Sequence, residues 1–235
     1  MGVTDARILL AGASGLVGSH VLRSFLQDPA FKGQIVAPSR RALAVEDSRL
    51  SVPVVDFSSS QTDMLVNQSI NQIAGGAIDT YVCCLGTTIK VAGSREAFIA
   101  VDRELVLNLA QLAHVAGARH AIVVSSVGAS RQSANFYLRV KGEVEDAMEK
   151  IGFQRLDLLQ PGLLLGPRDQ QRPAEALFQK LAPLANVLMA ARRLRPYRAI
   201  AADSLARAIV ALASANAPGI FTHTYDAIRG LDPQD

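Results

Sequence analysis

Residues 8–18 read Ile8-Leu9-Leu10-Ala11-Gly12-Ala13-Ser14-Gly15-Leu16-Val17-Gly18, and the fold is decided there. An apolar run ends in glycines spaced three apart. An amphipathic stretch follows, with Val17, Val21, Leu22, Phe25 and Leu26 in helical register. This is the pattern of a buried strand, a tight turn and a helix. Gly12 can take the backbone angles of the turn, Gly15 lets the backbone approach a pyrophosphate, and Gly18 lets the helix pack on the strand. The unpaired N–H groups and positive dipole end of the helix suit an anion. A glycine turn alone fits any tight strand-to-helix connection equally well, so the rest of the chain has to decide.

Outward from this turn, apolar β-type runs alternate with amphipathic helical stretches. The runs lie at 6–11, 34–38, 52–55, 79–85, 120–125, 154–160 and 220–225. The helical stretches lie at 16–27, 61–74, 95–116, 136–151, 174–190 and 203–215. Near-continuous apolar strands between helices predict a parallel sheet covered on both faces. Right-handed crossovers make it doubly wound, an α/β Rossmann fold. No linker or repeat divides the chain. One nucleotide-binding domain over residues 1–235 is expected, with 161–235 forming a small substrate-facing lobe.

Ligands of such sheets sit outside the carboxyl ends of the strands, so the residues after each strand carry the function. After the second strand come Ser39-Arg40-Arg41, where an acidic residue would select NAD. Arginines there suit a 2′-phosphate and so NADP(H), although a solvated loop charge is the plain alternative. Asp56 follows the third strand and reads either as an acceptor for the adenine amino group or as a turn cap before Ser58. Leu85-Gly86-Thr87-Thr88 after the fourth offers a small residue and hydroxyls for a dinucleotide to run past, or a plain turn.

The fifth strand ends in Ser125-Ser126, and Tyr137-x-x-x-Lys141 follows on a helical stretch. Positions i and i+4 share a helix face, so the ammonium lies beside the phenol. A phenol has an ordinary pKa near 10, and a neighbouring cation brings it toward the working range of a general acid or base. A serine hydroxyl can hold the substrate oxygen beside it. Ser125 and Ser126 both stand at that strand's end.

Composition narrows the class. The chain has 235 residues, is 49% hydrophobic and carries a net charge of +3. Nothing in that balance requires nucleic acid, and the absence of tryptophan argues against a single-strand stacking platform. The longest apolar stretch, 181–191, is broken by Pro183 and Asn186 and falls short of the roughly 18 residues of a membrane span. The N-terminus carries no secretory pattern. Cys83 and Cys84 are adjacent in an apolar run and read as buried thiols, which predicts a reducing, cytoplasmic location. His20, His114, His120 and His223 lack metal-ligand spacing, so no metal is expected.

With these residues in view, the chain resembles the short-chain dehydrogenases/reductases. The resemblance rests on Gly12-x-x-Gly15-x-x-Gly18, Ser126 and Tyr137-x-x-x-Lys141. More specific stretches narrow it further: Cys83 to Thr88, Val101-Asp102-Arg103, Ser133 to Tyr137, Lys141 to Glu145, Gln160 to Arg168 and Arg172 to Glu175. These are similar to the Tat-interacting-protein branch of the atypical members, which bind NADP(H). The resemblance implies a cofactor held by Gly12, Ser14, Gly15, Leu16, Val17, Gly18, Arg40, Arg41, Asp56, Leu85, Gly86, Thr87, Tyr137, Lys141 and Pro161. It implies Ser126, Tyr137 and Lys141 as the catalytic set. Gln160 stands where related sequences often have arginine, which puts a substrate contact from that position in doubt.

The expected activity is reduction or dehydrogenation of a small carbonyl or hydroxyl compound with NADP(H). The alternatives are an epimerase using the same residues, or a regulatory or assembly protein that binds NADP(H) without turnover and takes a protein partner. Dimerisation is left open. The polar loop 166–173 reads as a cover over the site or a plain surface connection. Arg192, Arg193, Arg195 and Arg198 read as a solvated basic face or an anion contact, and Asp203 as an N-cap.

Overall fold

The computed structural model describes residues 5–59, 61–72, 76–166 and 195–233. Strand β1 (Arg7–Ala11) is covered on both sides: Ile8, Leu9 and Leu10 are fully buried. Side chains alternate across a strand. Ile8 and Leu10 therefore join one core with Val17, Val21 and Phe25, while Leu9 and Ala11 join another with Val66, Leu109 and Met148.

The other strands of this sheet are β2 (Gln34–Val36), β3 (Leu50–Ser51), β4 (Thr80–Cys83), β5 (His120–Val124), β6 (Arg155–Leu159) and β9 (Gly219–His223). The short strands β7 (Leu164–Leu165) and β8 (Ile200–Ala201) pair separately and in parallel. The main sheet has seven strands in the order β3-β2-β1-β4-β5-β6-β9. Every pairing in it is parallel. The order reverses between β1 and β4, and it is in the crevice outside the carboxyl ends at such a point that ligands of doubly wound sheets bind. The doubly wound parallel sheet expected from the sequence is the observed fold.

Helix α1 (Leu16–Gln27) covers one face of the sheet. Helices α2 (Thr62–Gln72), α5 (Val106–Val115) and α6 (Phe136–Ile151) cover the other. The short helices α3 (Ile89–Ala92) and α4 (Arg95–Ile99) precede α5, and α7 (Ala202–Leu212) and α8 (Tyr225–Gly230) lie near the C-terminus. Helix α7 packs beside α1, with Leu205, Ala206 and Ile209 buried in the same core. Much of the described chain after Pro161 thus belongs to the main body: α7 to a layer of the sandwich and β9 to its sheet. The helical stretch expected at 174–190 lies outside the described residues.

The pattern and the structure part in several places. The third strand is Leu50–Ser51, ahead of the apolar run at 52–55. Pro53 has no N–H to donate, and the pairing resumes as a single bridge between Ser39 and Val54. The helical stretch 95–116 contains a π turn, Ala100–Leu105, between α4 and α5. The N-cap of α7 is Ala201, whereas Asp203 sits in the first turn and pairs with Arg207 at 3.2 Å. Helix α8, after β9, was not expected.

Candidate active site

The glycine turn abuts the end of β4. Gly12 has φ +84, and a Cβ there would lie 2.7 Å from the Cys84 carbonyl carbon and 2.8 Å from the Leu85 nitrogen. No side chain fits between these two strand ends. The turn closes with the Gly15 N–H donating to the Gly12 carbonyl at 2.9 Å. Gly15 is the N-cap of α1 and no side chain caps that helix. The amides of its first turn therefore face the crevice without intrahelical partners. Ser14 and Gly15 are exposed at the lip, Leu16 is half-buried, and Val17 and Gly18 are buried beneath.

At the end of β2, Ser39 is buried with its hydroxyl unpartnered. Arg40 and Arg41 follow, both exposed, and no carboxylate among the described residues pairs with either. Asp56 is an exposed turn cap: its Oδ1 accepts from the Ser58 N–H at 3.0 Å and the Ser58 hydroxyl at 2.7 Å. Those bonds hold its carboxyl below the usual range.

Across the crevice, Lys141 is buried on α6 and its Nζ lies 2.9 Å from Asp102 Oδ1. Asp102 is fully buried in the π turn, and its Oδ2 accepts from the Thr87 N–H at 2.8 Å. Gly86 lies against this pair; a Cβ there would sit 3.8 Å from Asp102 Oδ1 and 4.0 Å from Lys141 Nζ. Burial pulls the ammonium down, but the charges of Asp102 and Tyr137 outweigh it and hold Lys141 above its ordinary value. Tyr137, one turn earlier, is half-buried with its ring 5.8 Å from that of Phe98. The helix that carries both begins at Asn135, whose side chain accepts from the Leu138 N–H.

The two serines differ. Ser125 is buried, and its hydroxyl has no hydrogen-bond partner. Ser126 is half-buried, and its hydroxyl makes one weak contact, 3.5 Å to the Val127 carbonyl. Gln160 is turned inward, its Nε2 donating to both oxygens of Glu145 at 3.0 Å. That orientation removes it from the crevice. Burial raises the Glu145 carboxyl, and the bonds from Gln160 offset part of that. Pro161 is buried and its carbonyl accepts from the Val127 N–H at 3.0 Å, which ties the chain after β6 to the loop carrying Ser126.

Of the basic cluster, Arg195 pairs with Asp226 at 2.9 Å and Arg198 stacks on Tyr225. Arg192, Arg193 and the loop from Pro167 to Pro173 lie outside the described residues. Cys83 and Cys84 are free, and burial pushes both thiols up. Among the described residues no helix is long and apolar enough to cross a membrane. None of their His, Cys, Asp or Glu groups could hold a metal ion.

Sequence reasoning missed Asp102 as a site residue. Its one signal was its place in Val101-Asp102-Arg103, because a π turn has no spacing rule that turns a carboxylate toward a lysine on another helix. It also missed a cluster around the fully buried Asp157 in the middle of β6. There Asp157 accepts from His120 and His223, both at 2.7 Å, and from Arg155 at 2.6 and 2.8 Å.

A family model described as HIM1 matches residues 51–194. The protein fmp52, mitochondrial, of Aspergillus fumigatus is 34% identical over 205 residues, 87% of this chain and 86% of that protein. The protein HTATIP2 of Rattus norvegicus is 36% identical over 176 residues, 74% of this chain and 69% of that protein. The resemblance to the Tat-interacting-protein branch is thereby upheld. Among solved structures, a short chain dehydrogenase from Leptospira borgpetersenii with bound NAD+ superposes with a TM-score of 0.69 at 14% identity. That match covers 97% of this chain and 94% of that one. The Bordetella bronchiseptica enzyme WbmH in complex with NAD+ superposes with a TM-score of 0.66 at 17% identity, covering 94% and 75%. At these identities the likeness is one of fold. The cytoplasmic expectation is overturned, because the fungal relatives are named as mitochondrial proteins.

Proposed function

The chain belongs to the HIM1 family, and we propose that within it this protein is an NADP(H)-dependent oxidoreductase acting on a small carbonyl or hydroxyl compound. The observation that supports the reading is that both halves lie against the chain leaving β4: the glycine turn at Cys84 and Leu85, and the buried Lys141, with Tyr137 one turn before it, at Gly86. The residues fit a dinucleotide. The turn leaves no room for a Cβ at Gly12, the first amides of α1 are open, and the unpartnered Ser39 hydroxyl precedes two exposed arginines that pair with no carboxylate among the described residues.

Gly12, Ser14, Gly15, Leu16, Val17 and Gly18 would hold the pyrophosphate. Arg40 and Arg41 would hold the 2′-phosphate, with the adenine near Asp56. Leu85, Gly86, Thr87 and Pro161 would line the path toward the nicotinamide. The bound cofactor supplies or takes up a hydride at its nicotinamide ring. Ser126 orients the substrate oxygen, and its half-buried position favours it over the buried Ser125. Tyr137 gives or takes the proton on that oxygen, and Lys141 binds the ribose and stabilises the charge that develops on Tyr137.

Titration of the purified protein with NADPH and NADH by cofactor fluorescence tests the first half of this reading. NADPH is expected to bind more tightly, and equal affinities overturn the assignment of Arg40 and Arg41. Turnover across a panel of aldehydes, ketones and quinones tests the second half. NADPH binding without oxidation on any of them would favour a binding protein that uses the cofactor as a sensed ligand.

A further inference from the structure

We propose that this protein carries a second binding site, for a small organic anion bearing one carboxylate or phosphate group, in a cavity at the amino ends of β4, β5 and β6. The cavity holds about 330 Å³ between the first residues of these strands and the chain that leaves α7. That volume suits a compact organic acid and stands at the lower end of the usual range for small-molecule sites. The glycine turn and Lys141 lie at the opposite, carboxyl ends of the sheet, and the five residues of β5 set the two places about 17 Å apart. Parallel register puts Thr80, His120 and Arg155 side by side in one transverse row. Val82 and Ile122, two residues further along β4 and β5, belong to the core beneath α1 and α7. Side chains alternate along a strand, so Thr80 and His120 leave the sheet on that same face. All three residues of the row are more than nine-tenths buried, and a polar row at such a depth needs partners. His120 and Arg155 find theirs in Asp157. The Thr80 hydroxyl lines the cavity and has no hydrogen-bond partner among the described residues.

Charge selects an anion. Arg7 is paired with Asp79 at 2.7 Å and Arg155 with Asp157 at 2.6 Å, so these charges cancel. Arg119 is left over. Its side chain is exposed at the cavity and pairs with no carboxylate among the described residues. Asp79 is the only carboxylate among the described lining residues, and both of its oxygens accept from Arg7. A cation therefore finds no free acceptor charge. An anion finds the planar fork of a guanidinium, which matches carboxylate and phosphate geometry, together with the Thr80 hydroxyl and the amides of Gln154 and Asn216.

The walls are fixed before a ligand arrives. Arg155 Nη1 donates to the Ala217 carbonyl at 2.8 Å, and the Gly219 N–H donates to the Gln154 carbonyl at 2.9 Å. These bonds hold the chain between α7 and β9 against the start of β6. The Arg155 guanidinium also stacks on the Phe221 ring, 4.3 Å from its centroid. Backbone bonds from the Arg119 N–H to the Asp79 carbonyl, at 3.2 Å, and from the Arg155 N–H to the Arg119 carbonyl, at 3.0 Å, fix the base of the free arginine. Walls that are already ordered add little to the entropic cost of binding.

The test titrates inorganic phosphate, and separately acetate, into the isotope-labelled full chain saturated with NADPH, at constant ionic strength, and follows the backbone amides by NMR. NADPH keeps either anion off the glycine turn. Saturable shifts are expected at Thr80, Arg119, His120 and Asn216, and the anion that binds more tightly shows whether the site takes a phosphate or a carboxylate. Arg119→Gln changes an exposed side chain and leaves the strands intact. It is expected to weaken that anion about tenfold, the low end for an exposed charge-assisted bond. Absence of saturable shifts at these four residues with both anions, or an unchanged affinity in Arg119→Gln, overturns the proposal. Shifts at residues 12–18 on adding NADPH report separately on the cofactor reading, so the two can fail independently.

Discussion

Substituting Gly15 and Gly18 one at a time by alanine separates the cradle from the fold. At Gly18 a Cβ would lie 2.1 Å from the Gly12 carbonyl oxygen and 2.7 Å from its carbon. Comfortable carbon contacts lie at about 3.5–4.0 Å, so α1 or the turn must shift by roughly an ångström. Both sides of the clash are backbone and neither can swing away. Overpacking of this kind costs about 1–3 kcal/mol, and the better helix propensity of alanine returns at most about 1 kcal/mol. Sterics win, and Gly18→Ala is expected to lower the midpoint of urea unfolding. At Gly15 the Cβ would meet the Gly12 oxygen at 3.2 Å, and φ is −81, so alanine fits with a few tenths of an ångström of give. Stability should change by no more than about 0.5 kcal/mol, as at an ordinary surface site. That methyl group would nevertheless stand where a pyrophosphate approaches. Losing one charge-assisted hydrogen bond there is worth about 1.5–3 kcal/mol, so NADPH should bind at least about tenfold more weakly. Urea unfolding followed by circular dichroism and NADPH titration by fluorescence read the two effects apart. If Gly15→Ala binds NADPH like the parent protein, the turn is not a phosphate cradle. If Gly18→Ala is as stable as the parent, the packing argument is wrong.

Arg40→Ala should weaken NADPH by about tenfold, the low end for an exposed charge-assisted bond, and leave NADH unchanged; a parallel loss for both cofactors would mean a general fold defect. Tyr137→Phe should abolish turnover on any substrate that the panel identifies while NADPH affinity stays nearly constant, and surviving turnover would remove the phenol from the mechanism. Asp157 gives a pH prediction. Burial pushes its carboxyl up, but the hydrogen bonds from His120, His223 and Arg155 outweigh that and hold it well below the usual range. Its contribution to stability is therefore complete above the unfolded value near pH 4 and is lost as pH falls below it. Asp157→Asn should cost about 3–5 kcal/mol at neutral pH, because it leaves Arg155 buried without its counter-charge. It should also flatten the acid side of a plot of Tm against pH, and an acid side as steep as the parent's would show that another carboxylate controls it.

What the sequence determined by itself was local. Apolar runs and helical periods marked the strands and helices of the doubly wound sheet, because burial on two faces writes itself into neighbouring residues. The spacing of Gly12, Gly15 and Gly18 marked the turn, because its backbone angles and close approaches are set within a few residues. Tyr137 and Lys141 were legible for the same reason, one helical turn apart. The tertiary structure decided what depends on residues far apart in the chain. Whether Asp56 caps a turn, or Gln160 faces the crevice, depends on which partner arrives beside it; Ser58 and Glu145 did. Asp157 gathers His120 from 37 residues away and His223 from 66, because β5 and β9 flank β6 in the sheet. Asp102 reaches Lys141 because a π turn rotates it off the helical repeat into a space between α6 and the end of β4. A buried charge takes its meaning from the partner that neutralises it, and sheet order and helix irregularity select that partner.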